Sequence, residues 1–350
     1  MAKQRPRPTS ADVASRAGVS RTTVSLVLNE RGGSIPEPTR RRVYDAARAL
    51  GYHPHHSARG LAGGRTQTIA LVLRQSAEQV AEDALLTETL RGIAGAARAA
   101  DLRVLIEPLM PGEAYSDLVR SGRADGLVVS GPLFDDPELR DLVGDGFPVV
   151  IQGNAADVAA PSVDVDNVTS ARTAVEHLID LGHRRIACIT NAPLVYTAAA
   201  DRLEGYREAL LIGGLTYDEA LVAEGTYDAA SGHRAAARLL ASTDFTALFV
   251  ASDVVALGAM RGLREAGLVI PRDVSVVGFD DIALAEHFDP PLTSVRVPAR
   301  AIGEAAGRVL VDRIAGQVVP VRTILPTELV IRESTATPAK RRGGAEGGTH

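Results

Sequence analysis

The 350-residue sequence predicts two parts: an N-terminal all-α helix-turn-helix headpiece, followed by an α/β body of two doubly wound lobes. Three observations carry this. Apolar residues between 9 and 29 recur at helical spacing on either side of a glycine. Lys and Arg crowd the first 65 residues. From residue 66 onward, short β-branched runs alternate with Ala-rich helical stretches.

In TSADVASRAGVSRTTVSLVLN (9–29) a first helix runs from about Ser10 to Ala17. Thr9 or Ser10 is placed to cap it, and Val13, Ala14 and Ala17 share one apolar stripe. Gly18 supplies the permissive backbone of a sharp turn. Ser20 caps a second helix that buries Val24, Val27 and Leu28 and turns Arg21, Thr22, Ser25 and Leu26 outward. Short polar groups and one guanidinium suit the edges of DNA bases, although any small helical hairpin has this periodicity. A third helix starts at Pro38 and Thr39, buries Val43, Ala46, Ala47 and Leu50, and stops at Gly51. Arg40, Arg41, Arg42 and Arg48 fall on or near its outer face, within reach of backbone phosphates.

Charge separates these readings. The chain has net charge −5, yet residues 1–65 hold twelve Lys or Arg against four Asp or Glu, so a basic head precedes an acidic body. That is the electrostatic footprint of a phosphate-binding module joined to something else. The segment YHPHHSARGLAGGRT (52–66) reads as a linker, since Pro54 breaks the preceding run and Gly60, Gly63 and Gly64 weaken any helix. His53, His55 and His56 have no carboxylate or cysteine beside them, so no metal is expected there. GLAGGRT lacks the lysine of a phosphate loop.

The single cysteine, Cys188, sits in the apolar run RIACIT, which excludes an intrachain disulfide and suits a buried thiol in a reducing compartment. No apolar run approaches the roughly 20 residues that span a bilayer. The basic start MAKQRPRPTS has no apolar segment behind it, so a cytoplasmic protein is expected.

In the body, strands are expected at 68–73, 102–107, 126–130, 147–152, 184–190, 246–250 and 274–279. Helices are expected at 84–99, 169–181, 201–212, 229–241 and 253–266. The alternation calls for parallel sheets covered by helices, with ligand groups at the carboxyl ends of strands. There are too many units for one compact sheet, so two lobes with a small-molecule cleft between them are expected. No GxSxG, HExxH or GxGxxG after the first strand is present, and no enzyme or cofactor is expected.

Taken together, these strings resemble the LacI–GalR family of transcriptional repressors from residue 9 to about 334. DVASRAGVSRTTVSLVLN resembles its headpiece, and TRRRVYDAARALGYHPHHSARGL its third helix and hinge. VDVDN, HLIDLGHRRIACIT, RLEGYREAL, ASDVVALGAMRGLREAGLVIPRDVSVVGFDD, PPLTSVR and LPTELVIRES resemble its body, in the family's order. The resemblance implies a homodimer on a palindromic operator and a periplasmic-binding-protein-like body whose chain crosses three times between lobes. The division it implies is a disordered basic arm (1–8), headpiece (9–54), hinge (55–65), core (66–334) and disordered tail (335–350). Lobe one would hold 66–164 and 296–324, and lobe two 165–295 and 325–334. The tail has no apolar heptads, so a dimer rather than a coiled-coil tetramer is expected.

The roles implied for DNA fall on Arg21, Thr22 and Leu26 as base contacts, and on Ser20, Thr23 and Ser25 as phosphate contacts. Thr9, Asn29 and His55 join the DNA-facing set, and Ala58 and Leu61 match the hinge residues that wedge into the minor groove. Leu26 stands where many relatives carry arginine, and Gly60 where most carry a better helix former. Implied effector contacts are Arg202 and Asp280 on ligand hydroxyls, Tyr227 on a sugar face, and Ser252 where relatives often place asparagine. An interlobe Arg202–Asp280 salt bridge and a core role for Tyr227 stay open as alternatives. Asp164, Asp166 and Asn167 either cap a helix or touch ligand, and Asp253 reads as a helix-terminal group. The expected function is a DNA-binding repressor with a sugar-like effector. The alternatives are a solute-binding protein without regulatory role and a purine- or nucleoside-responsive corepressed regulator.

Overall fold

A computed structural model describes residues 8–28, 35–52, 66–109, 113–155 and 157–339. Asn29, His55, Ala58, Gly60 and Leu61, with residues 1–7 and the whole expected hinge, lie outside the described residues. The chain divides between Thr66 and Gln67 into two units.

In the first unit, α1 (Ser10–Ala17) begins with a capping box at Thr9. The Thr9 hydroxyl accepts from the Asp12 amide at 3.3 Å, and the Asp12 carboxylate accepts from the Thr9 amide at 2.7 Å. Gly18, at φ 64°, turns the chain. In α2 (Arg21–Leu28), the Ser20 hydroxyl accepts from the Thr23 amide at 3.0 Å. α3 (Glu37–Leu50) starts one residue before Pro38. The Pro36 carbonyl accepts from the Thr39 and Arg40 amides, and a proline lacking its N–H costs nothing in a first turn. Val13, Val24, Val27 and Val43, each at most 1% exposed, form the centre of this unit, while Leu28 and Leu50 are only half-buried at its edge. The Tyr44 hydroxyl donates to the Val27 carbonyl at 3.2 Å and ties α3 to α2.

The second unit contains two six-stranded sheets. The first contains β1 (Thr68–Leu73), β2 (Arg103–Pro108), β3 (Gly126–Ser130), β4 (Val149–Gln152) and β5 (Ser162–Val165). The second contains β6 (Ile186–Ile189), β7 (Val222–Ala223), β8 (Ala247–Val250), β9 (Ser275–Asp280) and β10 (Thr293–Arg296). The chain then returns to the first sheet with β11 (Arg322–Leu325) and to the second with β12 (Glu328–Val330). Strand orders are β11-β5-β4-β3-β1-β2 and β12-β10-β9-β8-β6-β7, parallel except for the β10–β12 pair. Three crossings therefore join the lobes, after Val165, after Arg296 and after Leu325.

Strands buried on both faces need apolar runs without alternation, and β1, β3, β6, β8 and β9 have them. On one face of the first sheet lie α5 (Leu86–Ala99) and α12 (Ala299–Ile314); on the other lie α6 (Tyr115–Arg120) and α7 (Pro137–Gly144). A short α4 (Ala77–Glu82) precedes α5. The second sheet is covered by α8 (Asn167–Asp180) and α9 (Thr197–Ile212) on one face and by α10 (Ala229–Ser242) and α11 (Asp253–Glu265) on the other. The helix expected over 84–99 forms as α5 from Leu86, where the Asp83 carboxylate accepts from the Leu85 and Leu86 amides and separates it from α4.

Ladder hydrogen bonds place Val165 and Leu325 in the first sheet and Arg296 in the second, each one residue from the boundary expected. The tail expected to be disordered from 335 begins as part of lobe two: the Ala336 carbonyl accepts from the Ser275 hydroxyl at 3.0 Å, and its amide donates back at 3.0 Å. His183 lies between them, with Nδ1 2.9 Å from the Thr246 hydroxyl and Nε2 2.9 Å from that same carbonyl, so it holds lobe two together. Cys188 is fully buried and burial pushes its thiol pKa up, which leaves an unreactive thiol.

α12 is the element that the second crossing delivers to lobe one, and it packs against α5 through glycines. A Cβ on Gly303 would strike the Thr89 carbonyl, and one on Gly92 would strike the Arg300 carbonyl. Gly303→Ala is expected to lower stability by about 1–3 kcal/mol through overpacking. Gly95→Ala, in open space on the same α5, should be neutral or stabilising by up to about 1 kcal/mol. Equal denaturation midpoints for the two variants would contradict the close-packed crossing.

Candidate DNA-reading surface and effector cleft

On the head, Arg21, Thr22, Ser25 and Leu26 are exposed, with Leu26 at 38%. Val24 and Val27 are buried, so the outward face of α2 carries one guanidinium, small hydroxyls and one apolar side chain. The Ser20 and Thr23 hydroxyls lie 2.9 Å apart, and Thr9 bonds Asp12, so these three side chains first serve helix starts. A helix start carrying spare N–H groups suits a phosphate neighbour.

In the body, the carboxyl ends of both sheets face a cleft of about 170 Å³, below the roughly 300–1,000 Å³ usual for ligand sites, so the lobes stand close together. Arg202, Tyr227, Ser252 and Asp280 all line it. Arg202 projects from α9 and is only 9% exposed. Its Nε donates to Asn167 Oδ1 at 2.9 Å, and its Nη1 donates to the Ala251 carbonyl at 2.6 Å and to Asp280 Oδ1 at 3.3 Å. The guanidinium also lies 3.8 Å from the Phe279 ring centre. These partners come from α8, β9 and the end of β8, all in lobe two. The Arg202–Asp280 pair therefore forms within one lobe and is not the interlobe bridge considered above.

Asp280 has φ 114° and Asp281 φ 50°, and Tyr227 has φ 67°. Non-glycine residues held in that region store strain, which concentrates at binding sites. Burial pushes the Asp280 carboxyl up to about 6 although Arg202 pulls it down. Its backbone carbonyl accepts from the Val297 amide at 3.1 Å, joining this residue to the second crossing. Ser252 precedes α11 and lines the cleft with Asp280, whose carboxyl its side chain helps pull down. Asp253, fully buried at the first position of α11, accepts from the Ser294 hydroxyl at 2.6 Å and from the Ile282 amide at 2.9 Å. Asp166 caps α8 through the Thr169 amide at 2.9 Å, Asn167 holds Arg202, and Asp164 lines the cleft.

Tyr227 is half-buried, its ring meeting Tyr196 edge-on at 5.3 Å. Tyr196 spans the cleft, because its hydroxyl donates to the Arg74 carbonyl of lobe one at 2.7 Å. Beside it the Thr197 amide donates to the Pro132 carbonyl at 3.2 Å and the Phe134 amide to the Val195 carbonyl at 3.0 Å. Arg74 is held in turn by Asp136 at 3.0 Å and Tyr115 at 2.9 Å. Sequence reasoning did not single out Gln75, Asp83, Gln152 or Asn191, which also line the cleft. Gln75, Gln152 and Asn191 sit at or within two residues of strand carboxyl ends, the one signal that could have found them.

Residues 9–55 match the family described as bacterial regulatory proteins, lacI family, and residues 175–335 match the periplasmic binding protein-like domain. The regulator CelR of Thermobifida fusca is 38% identical over 340 residues, spanning 95% of this chain and 99% of that protein. The chain belongs to the LacI family. The repressor CytR of Escherichia coli K12 is 34% identical, spanning 95% of this chain and 98% of that protein. Among solved structures, the lac repressor dimer bound to operator and an anti-inducer superposes with TM-score 0.81 at 29% identity, over 95% of this chain and 100% of that one. The CelR–cellobiose complex gives 0.71 at 37%, over 94% of this chain and 100% of that one. This LacI-family chain is accordingly a DNA-binding transcriptional regulator built from a helix-turn-helix head and a periplasmic-binding-protein-like body. Among the described residues, no helix is long and apolar enough to cross a membrane.

Within this LacI-family cleft, Asp164 provides a pH handle. Burial raises its carboxyl to about 6, against the pull of the Val165 amide and Arg202. A carboxyl raised on folding stabilises the fold while protonated, below its unfolded value, and that contribution is lost as pH rises through about 6. The ligand-free Asp164→Asn protein should therefore melt higher than the parent at pH 7.5, by about 1 kcal/mol or 2–4 °C, with the gap closing toward pH 4. A gap that widens on acidification would contradict this.

Proposed function

We propose that the protein acts as a homodimeric cytoplasmic repressor. In this reading it holds a palindromic operator through paired heads and releases or grips it according to a sugar-like effector in the cleft. The observation that carries the effector site is Arg202. It is a buried guanidinium fixed by Asn167, Ala251 and Asp280, next to strained backbone, where paired donors and acceptors can meet adjacent ligand hydroxyls. The cellobiose complex and the operator-bound dimer among its structural relatives support both halves of the reading. Tyr227 provides the apolar face for a sugar ring, and Ser252 a short hydroxyl beside Asp280.

Coupling follows from the crossings. A ligand that binds one lobe arrangement better than the other shifts the balance between them. Asp280 is bonded to Val297 at the second crossing, and Ser170 and Thr327 hydroxyls, 2.8 Å apart, join the first crossing to the third. Lobe rotation is thereby transmitted to both subunits' heads and resets their spacing on DNA.

On the head, Arg21 reads a guanine through its O6 and N7, and Leu26 makes an apolar contact. Arg21→Ala should lose about 1–3 kcal/mol at one operator base pair. An equal loss on every sequence in a binding-site selection would rule out base reading. Arg202→Ala, tested by fluorescence anisotropy on an operator recovered by that selection, should keep DNA affinity within about threefold. It should also abolish the response to any carbohydrate that shifts the parent protein, a loss of about 2–3 kcal/mol in coupling. Retention of that response would overturn the assignment of the site.

A further inference from the structure

Among the described residues, buried side-chain amide oxygens without a hydrogen-bond partner occur at Gln75 Oε1, Gln152 Oε1 and Asn191 Oδ1. All three residues line the cleft. Asn191 is only 5% exposed, so its unmet oxygen is a buried acceptor facing the cavity. An unpaired buried acceptor destabilises the empty site, and the cost is relieved when a ligand donor arrives. Three such acceptors come from three separate strand ends, two in lobe one and one in lobe two, so the shortage of donors belongs to the whole cavity.

Charge points the same way. The lining includes four carboxylates, Glu82, Asp83, Asp164 and Asp280, and one cation, Arg202. Arg202 already gives its Nε and Nη1 hydrogens to Asn167, Ala251 and Asp280. Asp83 comes from lobe one, between α4 and α5, and lines the same cavity as Asp280 of lobe two. An entering phosphate or carboxylate would meet like charge from both lobes, and among the described residues the one cation of the lining, Arg202, is already paired with Asp280.

We propose that the cleft selects an uncharged, hydroxyl-rich carbohydrate and rejects phosphorylated and carboxylated sugars. Asn191 and Gln152 accept ligand hydroxyls, and Asp83 is the lobe-one residue that sets the charge preference. This inference rests on the carbohydrate reading of the effector site proposed above and narrows it.

The test is isothermal titration calorimetry of the full-length protein with matched series. One series is glucose, glucose 6-phosphate and glucuronate; the other is cellobiose, cellobiose 6′-phosphate and cellobionate. Whichever neutral sugar binds should bind about 100-fold or more tightly than its anionic counterparts. Asn191→Ala should weaken the neutral sugar by about tenfold. Asp83→Asn keeps an acceptor for the Leu85 and Leu86 amides and should narrow the neutral-to-anionic ratio by about tenfold. An anionic sugar binding as tightly as its neutral counterpart, or a ratio unmoved by Asp83→Asn, overturns the inference and leaves the carbohydrate reading intact. Failure of every sugar in both series, charged or neutral, overturns the carbohydrate reading itself and this inference with it.

Discussion

A single buried guanidinium organises the body of this protein. Arg202 is anchored on α9, but its hydrogen bonds reach the start of α8, the end of β8 and the end of β9. Removing a charge from water is tolerable only when nearly every donor finds a partner. The loops that supply those partners are thereby held in one arrangement, including the positive-φ backbone at Asp280 and Asp281. Asp280 passes the constraint to Val297, and Asn167 passes it to the first residues after the first crossing. The residues that face the ligand and the residues that join the lobes are consequently neighbours in one network.

The head and body divide their electrostatics in the same spirit. The positive charge lies on short helices that pack around four valines, a core too small to bury any charge. The body keeps its carboxylates, including several within its cleft. The reader that meets phosphates is thus basic, and the chamber lined by Glu82, Asp83, Asp164 and Asp280 is acidic.

Much of the fold was legible because its central strands are buried on both faces. TIALVL and GLVVS are unbroken apolar runs, and they form β1 and β3 over the residues expected, 68–73 and 126–130. Edge elements were less legible. β7 spans two residues, and β11, RTIL, is partly exposed along its length, so neither carries a period. The short α4 ahead of Asp83 was not legible either, because six residues with one buried apolar side chain, Val80, carry no helical period. Arg202, Tyr227, Ser252 and Asp280 meet in one cleft, and each sits in or beside a string that resembles the family. Gln75, Gln152 and Asn191 are ordinary amides marked in sequence only by nearness to strand carboxyl ends, and their unmet oxygens appear on packing.

The three crossings also govern how the chain acquires its shape during synthesis. Lobe one lacks α12 against α5 until residues near 314 have been made, and lacks its β11 edge until 325. Lobe two waits longer, for Ser334 and Ala336 to bond Val276 and Ser275. Neither half can close as a contiguous fragment, so non-local contacts dominate and folding of the body is deferred until residues near 336 have been made. The head, complete within the first 52 residues, is under no such delay. A nascent chain can therefore present a finished DNA reader well before it has a chamber with which to govern it.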